Sequence, residues 1–196
     1  MKKLALFTLL ALSLGWQSAA SADEVAVVNI RVPGEKKPQP VVIEFYDDAS
    51  QTVENFKKLA RKGFYNGLSF HRAFAHTLLQ TGDPLSAHRD ASRIGTGGPG
   101  YTLAPEINRK HVVGAVAMSR LPDQINPARR SSGSQFYICL KAMPNLDGQY
   151  TVFGHIASGM ELLDTLSAKP TDTNDNPVER VRIKSIRIMD REKAGI

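Results

Sequence analysis

The sequence predicts a mostly-β domain, a closed antiparallel barrel with helices over its ends. Short runs of β-branched and aromatic residues recur along the chain, bounded by Gly, Pro, Asn or Asp. Only two segments, far apart, show helical spacing of apolar residues. Strands and helices do not alternate, which argues against the βαβ rhythm of a parallel sheet.

The 196 residues carry 25 Lys and Arg against 19 Asp and Glu, a formal charge of +6. Met1-Lys2-Lys3 precedes an apolar run from Leu4 to Leu14, and small residues ending in Ala20-Ser21-Ala22 follow. This is the layout of a secretory signal peptide, with cleavage expected after Ala22. The apolar run is too short to span a bilayer of ~30 Å, which needs roughly 20 residues. Residues 1–22 are therefore expected to be a signal and residues 23–196 a single domain of about 170 residues. Its expected location is the periplasm or the medium, with no stable membrane association after cleavage. Arg129-Arg130 and the cluster from Arg180 to Arg187 lack interleaved aromatic residues, so no nucleic acid partner is expected. Cys139 is the single cysteine, which rules out an internal disulfide, and its strand-like setting implies a buried, inert thiol.

Val25–Val32 and Val41–Tyr46 flank the polar turn 33–40 and read as a β-hairpin. Between Asp47 and Gly63, the spacing of Val53, Phe56, Leu59 and Ala60 predicts an amphipathic helix. Asp48 or Ser50 is expected to cap it, and Arg61-Lys62-Gly63 to end it. Residues 84–100 read as loop. Within them Gly95–Gly100 matches G-x-G-x-x-G, but Pro99 and the extended Tyr101-Thr102-Leu103 supply no helix N-terminus for a phosphate. Ala104-Pro105-Glu106 resembles a kinase landmark without its companion motifs. Val112–Met118, Gln135–Leu140 and Thr151–Ile156 read as strands. Asp147-Gly148 reads as a hairpin turn, Met160–Ser167 as a second helix, and Val181–Met189 as a closing strand. His76, His88, His111 and His155 show no ligand spacing, so surface or supporting roles are expected rather than metal binding.

The stretch from Phe70 to Asp83 reads as one strand, or as two short strands with a kink, and ends at a Gly-Asp-Pro turn. Arg72 and Gln80 interrupt its apolar run. On a barrel strand they would project from a hydrophobic wall into a groove; the competing reading is an Arg at a strand edge.

Phe70-His71-Arg72, Gln80-x-Gly82-Asp83, Gly95-Thr96-Gly97-Gly98, Gly133-Ser134-Gln135-Phe136-Tyr137-Ile138, Leu146-Asp147-Gly148 and Val152-Phe153-Gly154 follow one another in a familiar order, with Val53-Glu54-Asn55-Phe56 upstream. The set resembles a cyclophilin, of the bacterial exported kind, over Val25 to Met189. The resemblance implies an eight-stranded antiparallel barrel capped by two helices. It also implies peptidyl-prolyl cis–trans isomerase activity without a cofactor or metal, in a monomer acting on proline-containing peptides and unfolded exported proteins. By the same resemblance Arg72 is the catalytic residue and Gln80 orients it and contacts the substrate carbonyl. Thr77, Leu78, Gln135, Tyr137, Leu146 and Tyr150 fall at substrate-binding positions, and the backbone of Ser119-Arg120 at the position that holds the peptide main chain. By strand alternation Phe136 points instead to the core.

The sequence departs from the family pattern in several places. Thr77 stands where the family has a pocket Phe, Ala75-His76 replaces Pro-Gly or Pro-Asn, Thr81 replaces Gly, and Asn145 replaces Trp. Tyr150 stands for His and Tyr137 for Phe. Asn145 implies weak cyclosporin binding. Thr77 removes a ring from the proline pocket and implies reduced turnover. The alternatives from other classes are a peptide-binding module or chaperone with little or no catalysis, and a barrel for a small apolar ligand, against which Arg72 and Gln80 on the groove wall argue.

Overall fold

The computed structural model describes residues 24–88 and 93–196; the expected signal segment lies outside them. The chain forms β1 (Glu24–Arg31), β2 (Gln39–Phe45), α1 (Ser50–Arg61), β3 (Arg72–Phe74), β4 (Leu78–Thr81), β5 (Thr102–Leu103), β6 (Ala115–Met118), β7 (Ser131–Ser132), β8 (Phe136–Cys139), β9 (Val152–Ser158), α2 (Met160–Ser167), β10 (Arg182–Asp190) and α3 (Arg191–Ala194). Eight strands make one antiparallel sheet in the order β10-β1-β2-β9-β6-β8-β4-β3, and β5 pairs with β7 in a separate ribbon.

The expected closed barrel is a half-barrel. β3 and β10 are the free ends of the ladder, and they do not pair. The edges approach only through the segment before β3, where Gly67 and Phe70 N–H donate to the carbonyls of Ile183 and Val181. β3 has three residues against nine in β10, too few to run alongside it. Among the described residues the helix count also differs, because the four-residue α3 follows α1 and α2.

Two apolar layers lie on opposite faces of the sheet. Inside, Phe56 of α1 meets Phe136 of β8 and Phe153 of β9 with ring centres 5.4 and 5.3 Å away. The expected face of α1, Val53, Phe56, Leu59 and Ala60, is buried here. Outside, Leu78, Ala115, Ala117, Tyr137, Cys139 and Val152 form a second cluster. β4, β6 and β8 are thus covered on both faces, which explains why β6 and β8 read as unbroken apolar runs. Phe136 points inward and Tyr137 outward, as alternation requires. In β10 a register shift opposite Asn29 and Ile30 pairs Ser185 and then Ile183, skipping Lys184. This bulge lets both Ile183 and Ile186 face the core.

Three local expectations are corrected. Asp147-Gly148 does not close a hairpin: β8 and β9 both pair with β6 and not with each other, although Gly148 does take a positive φ of 71°. Neither Asp48 nor Ser50 caps α1. Instead the Glu106 carboxylate accepts the Gln51 and Thr52 N–H groups at 3.1 and 2.9 Å and the Thr52 hydroxyl at 2.7 Å, satisfying amides that the first turn leaves unpaired. Between the strands expected at Val112–Met118 and Gln135–Leu140, where no element is expected, Ser131-Ser132 forms a strand with Thr102-Leu103.

One buried charge is offset by partners. The Lys57 side chain is 1% exposed and meets Glu24 at 3.2 Å and Glu54 at 3.4 Å. Its ammonium also lies 5.2 Å from the Phe45 ring centre. Burial of an ammonium requires such company.

Candidate functional site

β3 and β4 form a tight hairpin in which Arg72 faces Gln80, Ala73 faces Leu79 and Phe74 faces Leu78. Directly opposed residues share a face, so Arg72, Phe74, Leu78 and Gln80 look outward while Ala73 and Leu79 enter the core. His76, at φ 54°, makes the turn. Its N–H donates to Ser167 Oγ at 2.9 Å and its ring meets Asp164 at 2.9 Å, which docks the hairpin on α2.

Arg72, Gln80, Ser119, Arg120 and Tyr150 line one cleft of about 590 Å³, together with His71, Gly95, Asn174 and Asn176. A second cleft beside it, of about 770 Å³, shares Ser119 and Arg120 and adds Gln135, Tyr101 and Ile125. Leu78, Tyr137 and Leu146 belong to the outer apolar cluster, against which Phe74 and Tyr150 pack. Thr77 lines neither cleft. It sits in the hairpin turn, half-buried, with its hydroxyl donating to the Ala75 carbonyl at 3.1 Å.

The Arg72 side chain is 49% exposed on an edge strand, and its Nε lies 3.7 Å from Asp175. Its guanidinium carbon stands 4.7 Å from the Phe74 ring centre. Gln80 is engaged elsewhere, donating to Gln135 Oε1 at 3.0 Å and to Ser119 Oγ at 3.3 Å. Gln135 in turn donates to the carbonyls of Gly95 and Gly97 at 2.9 and 2.8 Å. The amide chain therefore ties β4 and β8 to the glycine-rich loop. Ser119 N–H donates to the Gln135 carbonyl at 2.9 Å, and its own carbonyl accepts Ser132 N–H at 2.7 Å.

The glycines of that loop are positional. Asp83, fully buried, accepts N–H groups from Leu85, Gly95 and Gly97. A Cβ on Gly97 would lie 2.2 Å from Asp83 Oδ1. Gly82 has φ +89°, and a Cβ there would lie 2.2 Å from the Ser134 carbonyl. These contacts, not phosphate binding, account for the glycines at 82 and 97.

Arg120 carries a second guanidinium in the cleft. Its side chain is only 3% exposed and pairs with Asp123 at 2.5 Å. The guanidinium carbon stacks 4.7 Å from the Tyr150 ring centre, and Nε donates to the Gln149 carbonyl at 2.8 Å. Under the apolar wall, His111 bridges Tyr137 Oη at 2.9 Å and Asp147 at 3.1 Å. Burial pushes the His111 pKa down and the Asp147 carboxylate pulls it partly back. Burial, helped by Asp147, pushes the Cys139 thiol up to about 12, consistent with an inert thiol.

Sequence reading did not single out Asp175, Asn174, Asn176 or His111 as neighbours of the site. The three loop residues carry no periodicity, and His111 shows only as an isolated polar residue before an apolar run.

The model of the family described as cyclophilin type peptidyl-prolyl cis-trans isomerase/CLD matches residues 28–188. A peptidyl-prolyl cis-trans isomerase of Helicobacter pylori is 42% identical over 127 residues, 62% of this chain and 70% of that protein. Peptidyl-prolyl cis-trans isomerase-like 1 of Aspergillus niger is 36% identical over 152 residues, 76% of this chain and 88% of that protein. A crystal structure of a Cryptosporidium parvum cyclophilin type peptidyl-prolyl cis-trans isomerase superposes with a TM-score of 0.73 at 25% identity, covering 86% of this chain and 98% of that one. A second structure of that protein, in the presence of the dipeptide Ala-Pro, gives a TM-score of 0.71 at 26% identity, covering 85% and 99%. Agreement of the family model, the relatives and the fold over most of each chain makes this protein a member of the cyclophilin-type peptidyl-prolyl cis-trans isomerases.

Proposed function

We propose that the protein isomerises X-Pro bonds of exported polypeptides, with Arg72 as the group that acts on the rotating amide. An amide resists rotation by ~18–20 kcal/mol because the nitrogen lone pair is delocalised into the carbonyl. No bond has to break. The enzyme need only bind the twisted amide better than either planar form. In the twist the prolyl nitrogen regains a lone pair that can accept a hydrogen bond, and a guanidinium is a permanently charged donor for it.

The observation that carries this reading is the shared cleft of Arg72, Gln80, Ser119, Arg120 and Tyr150, beside the apolar wall of Leu78, Tyr137 and Leu146. Arg72 acts at the nitrogen, the wall receives the proline ring, and Gln80 with Gln135 holds the cleft floor and the substrate main chain. Thr77 contributes little surface, and the ring of Phe74 stands on the same hairpin face. The Ala-Pro dipeptide present with the Cryptosporidium parvum protein supports proline-containing peptides as ligands here. The lysines, apolar run and Ala20-Ser21-Ala22 of residues 1–22 support export, with cleavage after Ala22.

The test is the isomerisation rate of a short X-Pro peptide with purified protein, set beside peptide binding. Acceleration that Arg72→Ala abolishes supports the reading. Binding without acceleration would replace it with a peptide-binding module.

A further inference from the structure

The loop between α2 and β10 reaches the catalytic hairpin from the far end of the sequence. It is organised around Asp172, whose carboxylate accepts Asn174 N–H at 2.8 Å and Asn176 N–H at 3.0 Å. The turn it makes presents Asp175 to β3. The Asp175 carbonyl accepts Ala73 N–H at 2.9 Å, and its carboxylate lies 3.7 Å from Arg72 Nε. Asp175 has φ 62°, a left-handed conformation that aspartate and asparagine adopt more readily than most residues with a side chain, so the turn can hold a carboxylate at this point. Gln80, directly opposite Arg72 across the β3–β4 pair, gives its amide nitrogen to Gln135 and Ser119.

We infer that Asp175 is the positioning residue for Arg72. It anchors the guanidinium at Nε from the loop side, while the Phe74 face supports the fork from below at 4.7 Å. The terminal nitrogens are thereby presented to the cleft. Both partners are about half-exposed, at 49% and 42%, so the pair contributes little to fold stability. Its effect lies in the orientation of the donor when the amide is twisted, where small misplacements of a reacting group cost rate. The inference rests on the reading of Arg72 as the acting group.

The test compares wild type, Asp175→Asn and Asp175→Glu on a short Ala-Pro peptide, with the Arg72 Nε–Hε resonance followed by 15N NMR. Asn suits the left-handed backbone, so the fold is expected to survive. Asp175→Asn is expected to lower kcat about tenfold with KM nearly unchanged, and to shift the Arg72 resonance; Asp175→Glu should recover most of both. Unchanged kcat in folded Asp175→Asn, or a loss confined to KM, would overturn the inference. If wild type shows no turnover, the isomerase reading fails by itself and the resonance alone decides: a shift in Asp175→Asn that Asp175→Glu reverses supports the positioning role, and an unmoved resonance overturns it.

Discussion

Phe74 lies directly opposite Leu78 across the β3–β4 pair, and the Arg72 guanidinium rests on the Phe74 ring at 4.7 Å. The hairpin thus carries an aromatic ring beside its cation although Thr77 brings none. Phe74→Ala is expected to lower kcat/KM about tenfold on an X-Pro peptide, by removing both ring surface and the support of the guanidinium. Thr77→Phe is expected to change it by less than about threefold, because that position is in the turn and outside the cleft. A large gain from Thr77→Phe would show that the proline ring reaches the turn.

Arg72→Ala is expected to lower kcat/KM by at least ~10-fold, or roughly 1.4 kcal/mol, with the thermal midpoint nearly unchanged, since the side chain is half-exposed. Arg72→Lys should restore little, because an ammonium lacks the planar fork. Full activity in folded Arg72→Ala would remove this residue from the mechanism.

Acid should destabilise the fold in a defined window. Burial is the main cause that holds both His71 and His111 below the ordinary 6.5. As pH falls through that value the unfolded chain takes up protons first, so stability present above it is lost progressively. The denaturation midpoint should be lower at about pH 5.5 than at about pH 7.5, and His111→Gln should flatten the slope. An equal slope in that variant would assign the effect elsewhere.

Gly97→Ala should destabilise by on the order of 2–3 kcal/mol. Its Cβ would fall 2.2 Å from Asp83 Oδ1 and 2.9 Å from Leu85 Cγ, displacing the carboxylate that organises the loop. Denaturant unfolding measures this directly, and a neutral substitution would mean that the loop shifts freely.

Glu106→Ala should cost about 1 kcal/mol, through loss of the cap on the Gln51 and Thr52 amides. The loss should appear as faster hydrogen exchange in the first turn of α1. Unchanged protection there would show that another group replaces the carboxylate.

Local pattern was enough for much of the fold. The β1–β2 hairpin, the buried face of α1, α2, and the inward Phe136 beside the outward Tyr137 all follow from side-chain periods that neighbouring residues set. The ordered motifs from Phe70 to Gly154 also indicated the family, and Gly82 among them answers a local backbone requirement, its positive φ. Pairings between segments distant in sequence were decided only by the tertiary structure. No period says that β8 and β9 flank β6 rather than pair, that Glu106 caps α1, or that the sheet stops short of closure at β3. The same holds for Asp175 beside Arg72 and for His111 between Tyr137 and Asp147. A polar side chain in a loop or at a strand end can satisfy itself with many partners, and which one it meets is fixed when the packed apolar layers bring distant loops together.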